Sequence, residues 1–448
     1  MSSSSSGGST PDSSSIRRPR SRLFRDPLWN HPDFIRLWSG RAISQVGTEL
    51  SLVAIPLYAV LSLDATPLQM GILAASAGLP RLLLGFVAGA WVDRLRRKPI
   101  MIATDIGRAL VIATIPIAAL IGVESLPLLI AVQLLAGLFS IFFQAAWAPY
   151  LPGLAGRANL PSANSKILGS ASVAQVAGPS LAGTLIGVIG APFTFVIDAL
   201  SYLWSAIFIA RVEHVEPPPR PRDDNRSIVR EIRQGIRVLI SSPILRALTG
   251  SDATIVLGGY IFLAVYPLFM VESLGLSAQG VGLVFAAGGV GALAGSLITT
   301  AMIRRLGTGL TIVWSATLFG AFGLAVPMAV LVTEYALPLV VFAEFAQWMM
   351  LVVFNITSGS LRQALTPDHL LGRVVASDQV LGSGLQPVGA FLGGVLGQIF
   401  GVQAALLIGV AGMFCAGLWV FRSPVREIMD MPTEPDHTLD NSIFPNVT

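Results

Sequence analysis

Twelve apolar segments dominate this sequence, each about as long as the ~20 residues a helix needs to cross a bilayer. Hydropathy and helix breakers place them at 37–62, 67–92, 99–121, 125–148, 164–189, 191–211, 248–271, 277–303, 308–332, 336–360, 371–397 and 402–422. Asp64 to Pro67 separate the first two, Pro99 opens the third, and Thr366 to Asp368 precede the eleventh. The polar remainder gives the expected organisation: a disordered cytoplasmic tail over 1–34, a six-helix half over 35–211, a cytoplasmic central loop over 212–246, a second half over 247–422 and a cytoplasmic tail over 423–448. Within the central loop, Ser227 to Ile240 reads as a short amphipathic helix on the membrane surface. Composition agrees. Of 448 residues, 53% are hydrophobic and 12% charged. Soluble domains carry roughly 25% charged residues. A water-soluble globule is thereby excluded, and so is disorder for most of the chain.

The cations fix the orientation. With these spans, none of the 29 Lys and Arg falls in the odd-numbered connections, which carry only Asp64, Glu124, Glu272 and Glu334. The positive-inside rule then puts both termini and the central loop in the cytoplasm. The formal charge of +4 is read as a topology signal rather than a nucleic-acid footprint. One cysteine, Cys415, excludes a disulfide framework, and four scattered histidines give no metal-ligand spacing. Lys98 and Lys166 are the only lysines and neither follows a glycine. A phosphate-binding Gly-x4-Gly-Lys loop is therefore absent, which argues against ATP hydrolysis and leaves an ion or substrate gradient as energy source. Nothing points to an enzyme or a cofactor.

Internal duplication is suggested by matched marks. Gly85 and Gly89 precede Gly291 and Gly295 by 206 residues, Pro179 precedes Pro387 by 208, and Gly156-Arg157 precedes Gly372-Arg373 by 216. Two similar six-helix halves with a site between them are expected.

After Gly85 and Gly89 come Ala90-Trp91-Val92-Asp93-Arg94-Leu95-Arg96-Arg97-Lys98. Glycines at i, i+4 let a neighbouring helix approach closely, and Asp93 beside Arg94, Arg97 and Lys98 suits a charged latch. The plainer alternative is a basic loop that only sets topology. The stretch resembles the loop motif between helices 2 and 3 of the major facilitator superfamily, with Arg96 near the place of its second glycine. In span 5, Ala174-Gln175-Val176-Ala177-Gly178-Pro179-Ser180-Leu181-Ala182-Gly183 resembles that superfamily's antiporter motif, with Ala174 where glycine is typical. Gly178, Pro179 and Gly183 carry the likeness. The alternative is an ordinary kinked packing helix.

Leu37-Trp38, Ser44-Gln45-Val46-Gly47, Ile197-Asp198-Ala199-Leu200-Ser201-Tyr202, Gly372-Arg373-Val374-Val375-Ala376-Ser377 and Gly384-Leu385-Gln386-Pro387-Val388-Gly389 are similar to the drug and siderophore exporter subgroup. That subgroup includes macrolide-efflux and enterobactin-export proteins. The resemblance covers about 35–422. It implies an all-α membrane protein of twelve helices in two pseudo-symmetric halves. It also implies alternating access, a monomer, and a bacterial inner (plasma) membrane location.

Ionisable residues inside spans are expensive and mark function. Glu49 lies near the middle of span 1. Glu344 lies about a third of the way into span 10, with Gln347 and Asn355 at helix-compatible spacing. Apolar surroundings favour a neutral carboxyl group, which can therefore exchange protons and cross an occluded state at lower cost. These four are the expected proton-coupling and substrate residues. The alternative for each acid is pairing with a buried arginine. Asp105 and Arg108 can neutralise each other at i, i+3 and, with Asp93 and Asp378, are expected to form a cytoplasmic gating network. Asp252, one turn into span 7, reads equally as a helix-end residue near water. Trp348 and Phe354 face either a cavity or lipid and core. The expected function is secondary active transport, with proton-coupled efflux of an amphipathic drug, antibiotic or siderophore. The alternative is an importer or lipid translocator of the same fold. A sensor or scaffold would need a sizeable soluble domain, for which the polar stretches are too short.

Overall fold

The computed structural model describes residues 27–92, 94–216 and 228–433. Spans 1 to 6 are Pro32–Leu63, Pro67–Val92, Arg97–Ile121, Leu126–Ala155, Leu160–Ile189 and Ala191–Ala210. Spans 7 to 12 are Pro243–Leu268, Ala278–Leu306, Thr308–Gly323, Ala336–Leu365, Asp368–Phe400 and Val402–Phe421. Helix ends follow local chemistry. His31 accepts from the Phe34 amide at 3.2 Å where span 1 begins. The Ser277 hydroxyl accepts from the Gly280 amide at 3.3 Å where span 8 begins, each satisfying an amide that the helix leaves unpaired.

Among the described residues, eleven helical stretches are long and apolar enough to cross a membrane, one of them the 58-residue Thr308–Leu365. As a straight helix it would be about 87 Å long, nearly three times the ~30 Å hydrocarbon core. The chain breaks it after Gly323. A short helix Ala325–Met328 and a 3-10 segment Ala329–Tyr335 follow, with Val332 at φ −134°, ψ 59°. Spans 9 and 10 then pack side by side, so the described residues hold twelve spans. The perimeter is apolar where a soluble protein would be polar. Leu297 is 81% exposed and Val188 75%, a surface that only lipid covers without penalty.

The two halves repeat one packing scheme. Span 1 lies on spans 5 and 6, span 2 on span 4, and span 3 on spans 4 and 6. Correspondingly, span 7 lies on spans 11 and 12, span 8 on span 10, and span 9 on spans 10 and 12. The halves join through span 2 with span 11 and span 5 with span 8. Gly71 meets Gly394 in the first junction, and Gly183 meets Gly282 in the second. Corresponding members of the two contacts are 211 residues apart. The same offset separates Gly190 (φ 86°) from Gly401 (φ 89°), which turn the chain between spans 5 and 6 and between spans 11 and 12.

This offset corrects the marks read from sequence. Gly291 and Gly295 lie against the backbone of Phe345 and Met349 in span 10, whereas a Cβ on Gly85 or Gly89 would meet nothing within 4 Å. They are not equivalent positions, and the close helix approach expected at Gly85 and Gly89 is absent. The reason is an opening between the halves. Span 2 follows span 11 from Gly71 past Gly78, which faces Pro387, to Leu82, which faces Gly384. Beyond that point Gly85, Gly89 and Gly382 have open space. Span 5 likewise leaves span 8 between Gln175, which faces Gly289, and the open Gly169. The halves are closed at the face away from the termini and part toward the face that carries them.

The expected amphipathic helix is present as Ile228–Ser241. Its Gly235 sits against Arg373 and Ser377 of span 11, and Val238 and Leu239 are fully buried. The expected tails and the central loop fall partly outside the described residues.

Candidate functional site

Glu344 is 4% exposed in span 10. Tyr266 of span 7 donates its hydroxyl to one carboxylate oxygen at 3.1 Å, and the Trp348 indole, one turn along, donates to the other at 2.8 Å. Among the described residues it has no cationic partner. The arginine-paired alternative therefore does not hold for this acid. Two neutral donors orient the group without cancelling its charge. Gln347, also 4% exposed, turns away and donates to the Phe319 carbonyl at 3.3 Å. Asn355 lies on the same stripe of span 10 as Glu344, about 16 Å along the helix, and is exposed. The structure thus joins neither to Glu344. Trp348 is part of the site, while Phe354 is fully buried core.

Glu49 in span 1 accepts from the Gln45 side chain at 2.9 Å and likewise has no arginine partner among the described residues. It is half-buried against span 5. A Cβ on Gly178 would stand 2.5 Å from the Glu49 Cβ, so only glycine allows this approach. Gly183, one and a half turns further along, makes the contact with span 8. Gly178, Pro179 and Gly183 therefore place one helix between the Glu49 segment and the opposite half.

The remaining charges form two networks rather than one gate. In the first half, Asp105 and Arg108 pair within span 3, fully buried, as their i, i+3 spacing allows. The Arg108 guanidinium lies 4.6 Å from the Phe143 ring centre and 4.3 Å from that of Tyr202, within cation–π range. Ser51 of span 1 donates to Asp198 of span 6 beside it. In the second half, Arg362 pairs with Asp252 of span 7 and, at 2.6 Å, with Asp378 of span 11. Asp378 therefore does not meet Asp105 or Arg108, because the halves stand apart at this level and each network closes within its own half. Asp252 is an ion-pair residue and not a free helix end. Asp93 lies outside the described residues.

The basic residues of the loop before span 3 are also tied within the first half. Glu216 accepts from the Arg97 and Lys98 amides at 2.8 and 2.6 Å, and the Lys98 ammonium donates to the Val212 carbonyl at 2.6 Å. A carboxylate at a helix N-terminus is well placed. These contacts fasten the central loop to span 3. Arg94 is exposed in the turn.

Sequence reasoning missed Arg362 because span 10 was ended at 360, which put this arginine in a loop. The helix runs to Leu365. Its residue type inside a span was the signal. Tyr266 carried no signal, since a tyrosine 78 positions from Glu344 looks like any aromatic. Removing one partner of a buried ion pair costs about 3–5 kcal/mol. The lower end applies here, since Asp252 and Asp378 keep 24% and 27% of their side-chain surface exposed. Arg362→Met should lower the thermal midpoint in detergent by several degrees, and adding Asp252→Asn should restore part of it. An unchanged midpoint for the single variant would remove the triad's structural role.

Three comparisons bear on this arrangement. A family model described as transmembrane secretion effector matches residues 26–445. The multidrug efflux pump Tap of Mycolicibacterium fortuitum is 28% identical, covering 87% of this chain and 95% of its own. The enterobactin exporter EntS of Citrobacter koseri is 25% identical over 91% of this chain and 96% of its own. A solved bacterial homologue of the iron transporter ferroportin, in an inward-facing state, superposes with a TM-score of 0.72 at 17% identity. It covers 87% of this chain and 98% of that one, and the two share a fold.

Proposed function

This chain belongs to the transmembrane secretion effector family of major facilitator transporters, and we propose that it exports an amphipathic small molecule in exchange for protons. The observation that carries this reading is Glu344, a buried carboxyl group with two neutral donors and no cationic partner among the described residues. A lone charge in an apolar interior is unfavourable. A proton can cancel it, and so can the cationic group of a substrate, but not both at once. One acid thereby makes the two cargoes compete. With the site open to the cytoplasm, substrate binds the ionised form. After the halves rock, a proton from outside displaces the substrate, and the neutral site returns.

Glu49 is the second exchangeable group, and its contact with Gly178 links it to the span that closes against the other half. Gln347, which donates to the Phe319 carbonyl, and Asn355, further along span 10, are assigned supporting roles in the transport cycle. Gly85, Gly89, Asp93, Arg94, Arg97, Lys98, Asp105, Arg108 and Asp378 are assigned to cytoplasmic closure. Export is favoured by the named relatives and by the antiporter-like Gly178-Pro179 pair. The energy source is the proton gradient, with no cofactor. The chain acts as a monomer in a bacterial plasma membrane.

The charge bias supports cytoplasmic termini, so the open face is cytoplasmic. In a Cys415→Ser background, Asp64→Cys should react with an impermeant thiol reagent added to intact cells, and Arg305→Cys should react only after permeabilisation. The reverse pattern would invert the topology and with it the direction of export. Transport itself is tested with inside-out vesicles, which should accumulate an amphipathic fluorescent cation when the lumen is acid. Equal accumulation at equal pH would remove the coupling.

A further inference from the structure

The helix Ile228–Ser241 has two opposed faces. Gly235, Val238 and Leu239 form the buried stripe. Gly235 is placed so that a Cβ would run into the Arg373 carbonyl and the Ser377 hydroxyl, so this helix touches span 11 backbone to backbone. The opposite stripe carries Arg233 and Arg237, four residues apart and both exposed. Ile240, 56% exposed, stands beside the arginines. Neither Arg233 nor Arg237 has an acidic partner among the described residues.

The docking point fixes the depth and the side of the bundle. Val388 and Phe391 are 47% and 46% exposed, on the half of span 11 where the two halves of the molecule are closed. Their surface there can face only lipid. At 100° per residue they share a stripe with Ser377 and Arg373. Ser377 lies about 16 Å along the axis from Val388, near the end of a ~30 Å hydrocarbon layer whose middle is the middle of this span. The helix therefore covers the end of a lipid-facing stripe, at the level of the headgroups. At that level an exposed isoleucine meets the acyl-chain boundary and arginine side chains reach the phosphate layer.

We propose that this outer face binds anionic phospholipid headgroups of the adjoining leaflet, and through Gly235 holds the end of span 11 at the headgroup layer. Charge complementarity selects the partner. Two arginines without an acidic partner among the described residues, beside an exposed isoleucine, match an anionic headgroup with its acyl chain. A soluble acidic protein would leave the isoleucine uncovered.

The test uses the full-length protein in nanodiscs of phosphatidylcholine, with and without phosphatidylglycerol. Hydrogen exchange of the 228–241 amides is the readout. Phosphatidylglycerol should slow exchange there, and high salt should reverse the effect. Each juxtamembrane arginine contributes about fivefold to binding, so Arg233→Gln with Arg237→Gln should erase most of the difference while the exchange in phosphatidylcholine is unchanged. Identical exchange in the two lipids would overturn the proposal, as would a lipid effect that survives in the double variant. Equal protection by inorganic phosphate added to protein in detergent would assign the face to a soluble anion and overturn it as well.

Discussion

Glu344→Gln should reduce pH-gradient-driven accumulation to the level of empty vesicles while the protein still folds and still exchanges substrate across the membrane without a gradient. Glutamine keeps the volume of the acid and one carbonyl acceptor. The Trp348 indole can still donate to that oxygen, and the Tyr266 hydroxyl can rotate to accept from the amide instead of donating. Packing is therefore retained. What is lost is a charge that a proton can cancel. In the wild type, binding of a cationic substrate should weaken as pH falls, because protons and substrate compete for one carboxylate. In the variant, binding should be weak and flat with pH. Energy-independent exchange separates this outcome from misfolding. Full gradient-driven transport by Glu344→Gln, with Glu49→Gln also active, would leave the mechanism without a coupling residue.

A second large effect is expected at Gly183. A Cβ there would stand 2.5 Å from the Ala278 carbonyl oxygen and 3.1 Å from the Gly282 Cα, both backbone atoms that cannot rotate away. Gly183→Leu would place four carbons in that space. Spans 5 and 8 must then part at the closed face, which destroys the seal that alternating access requires. Transport should fall to background. A cysteine at Leu276, next to the junction, should become reactive to thiol reagents from the far side. Gly85→Ala, by contrast, adds a methyl group where the open form has room. It should leave folding intact and act only on closure of the opposite end. Normal transport by Gly183→Leu would show that the span 5 and span 8 contact is not the seal.

The sequence makes the bundle legible because lipid leaves few choices. Apolar length demands helices, and the absence of cations from alternate connections orders them. The close packing of span 5 is legible because Gly178 and Gly183 have no use in a lone helix beyond letting a neighbour approach. The pairing of charges was harder to read. Asp105 and Arg108 are three apart on one helix and their bond follows from spacing alone. Asp378 was grouped with them by depth, yet depth says nothing about which half supplies the partner. Its partner is Arg362, on a neighbouring helix, and a helix end misplaced by one turn hid it. The repeat was seen in outline but with the wrong offset. In a glycine-rich chain, matched glycines recur by chance, and the 211-residue relation emerges only from which backbones touch.

The central claim is that substrate leaves as protons enter, through one buried acid. It is tested most directly by reconstituting the purified protein in vesicles that enclose a pH-sensitive dye, with no pH gradient imposed. Adding an amphipathic cation outside should shift the luminal pH in the direction of proton exit as substrate enters. The shift should be absent with Glu344→Gln. Uptake of the cation with no change in luminal pH, or an undiminished change with Glu344→Gln, would contradict the account.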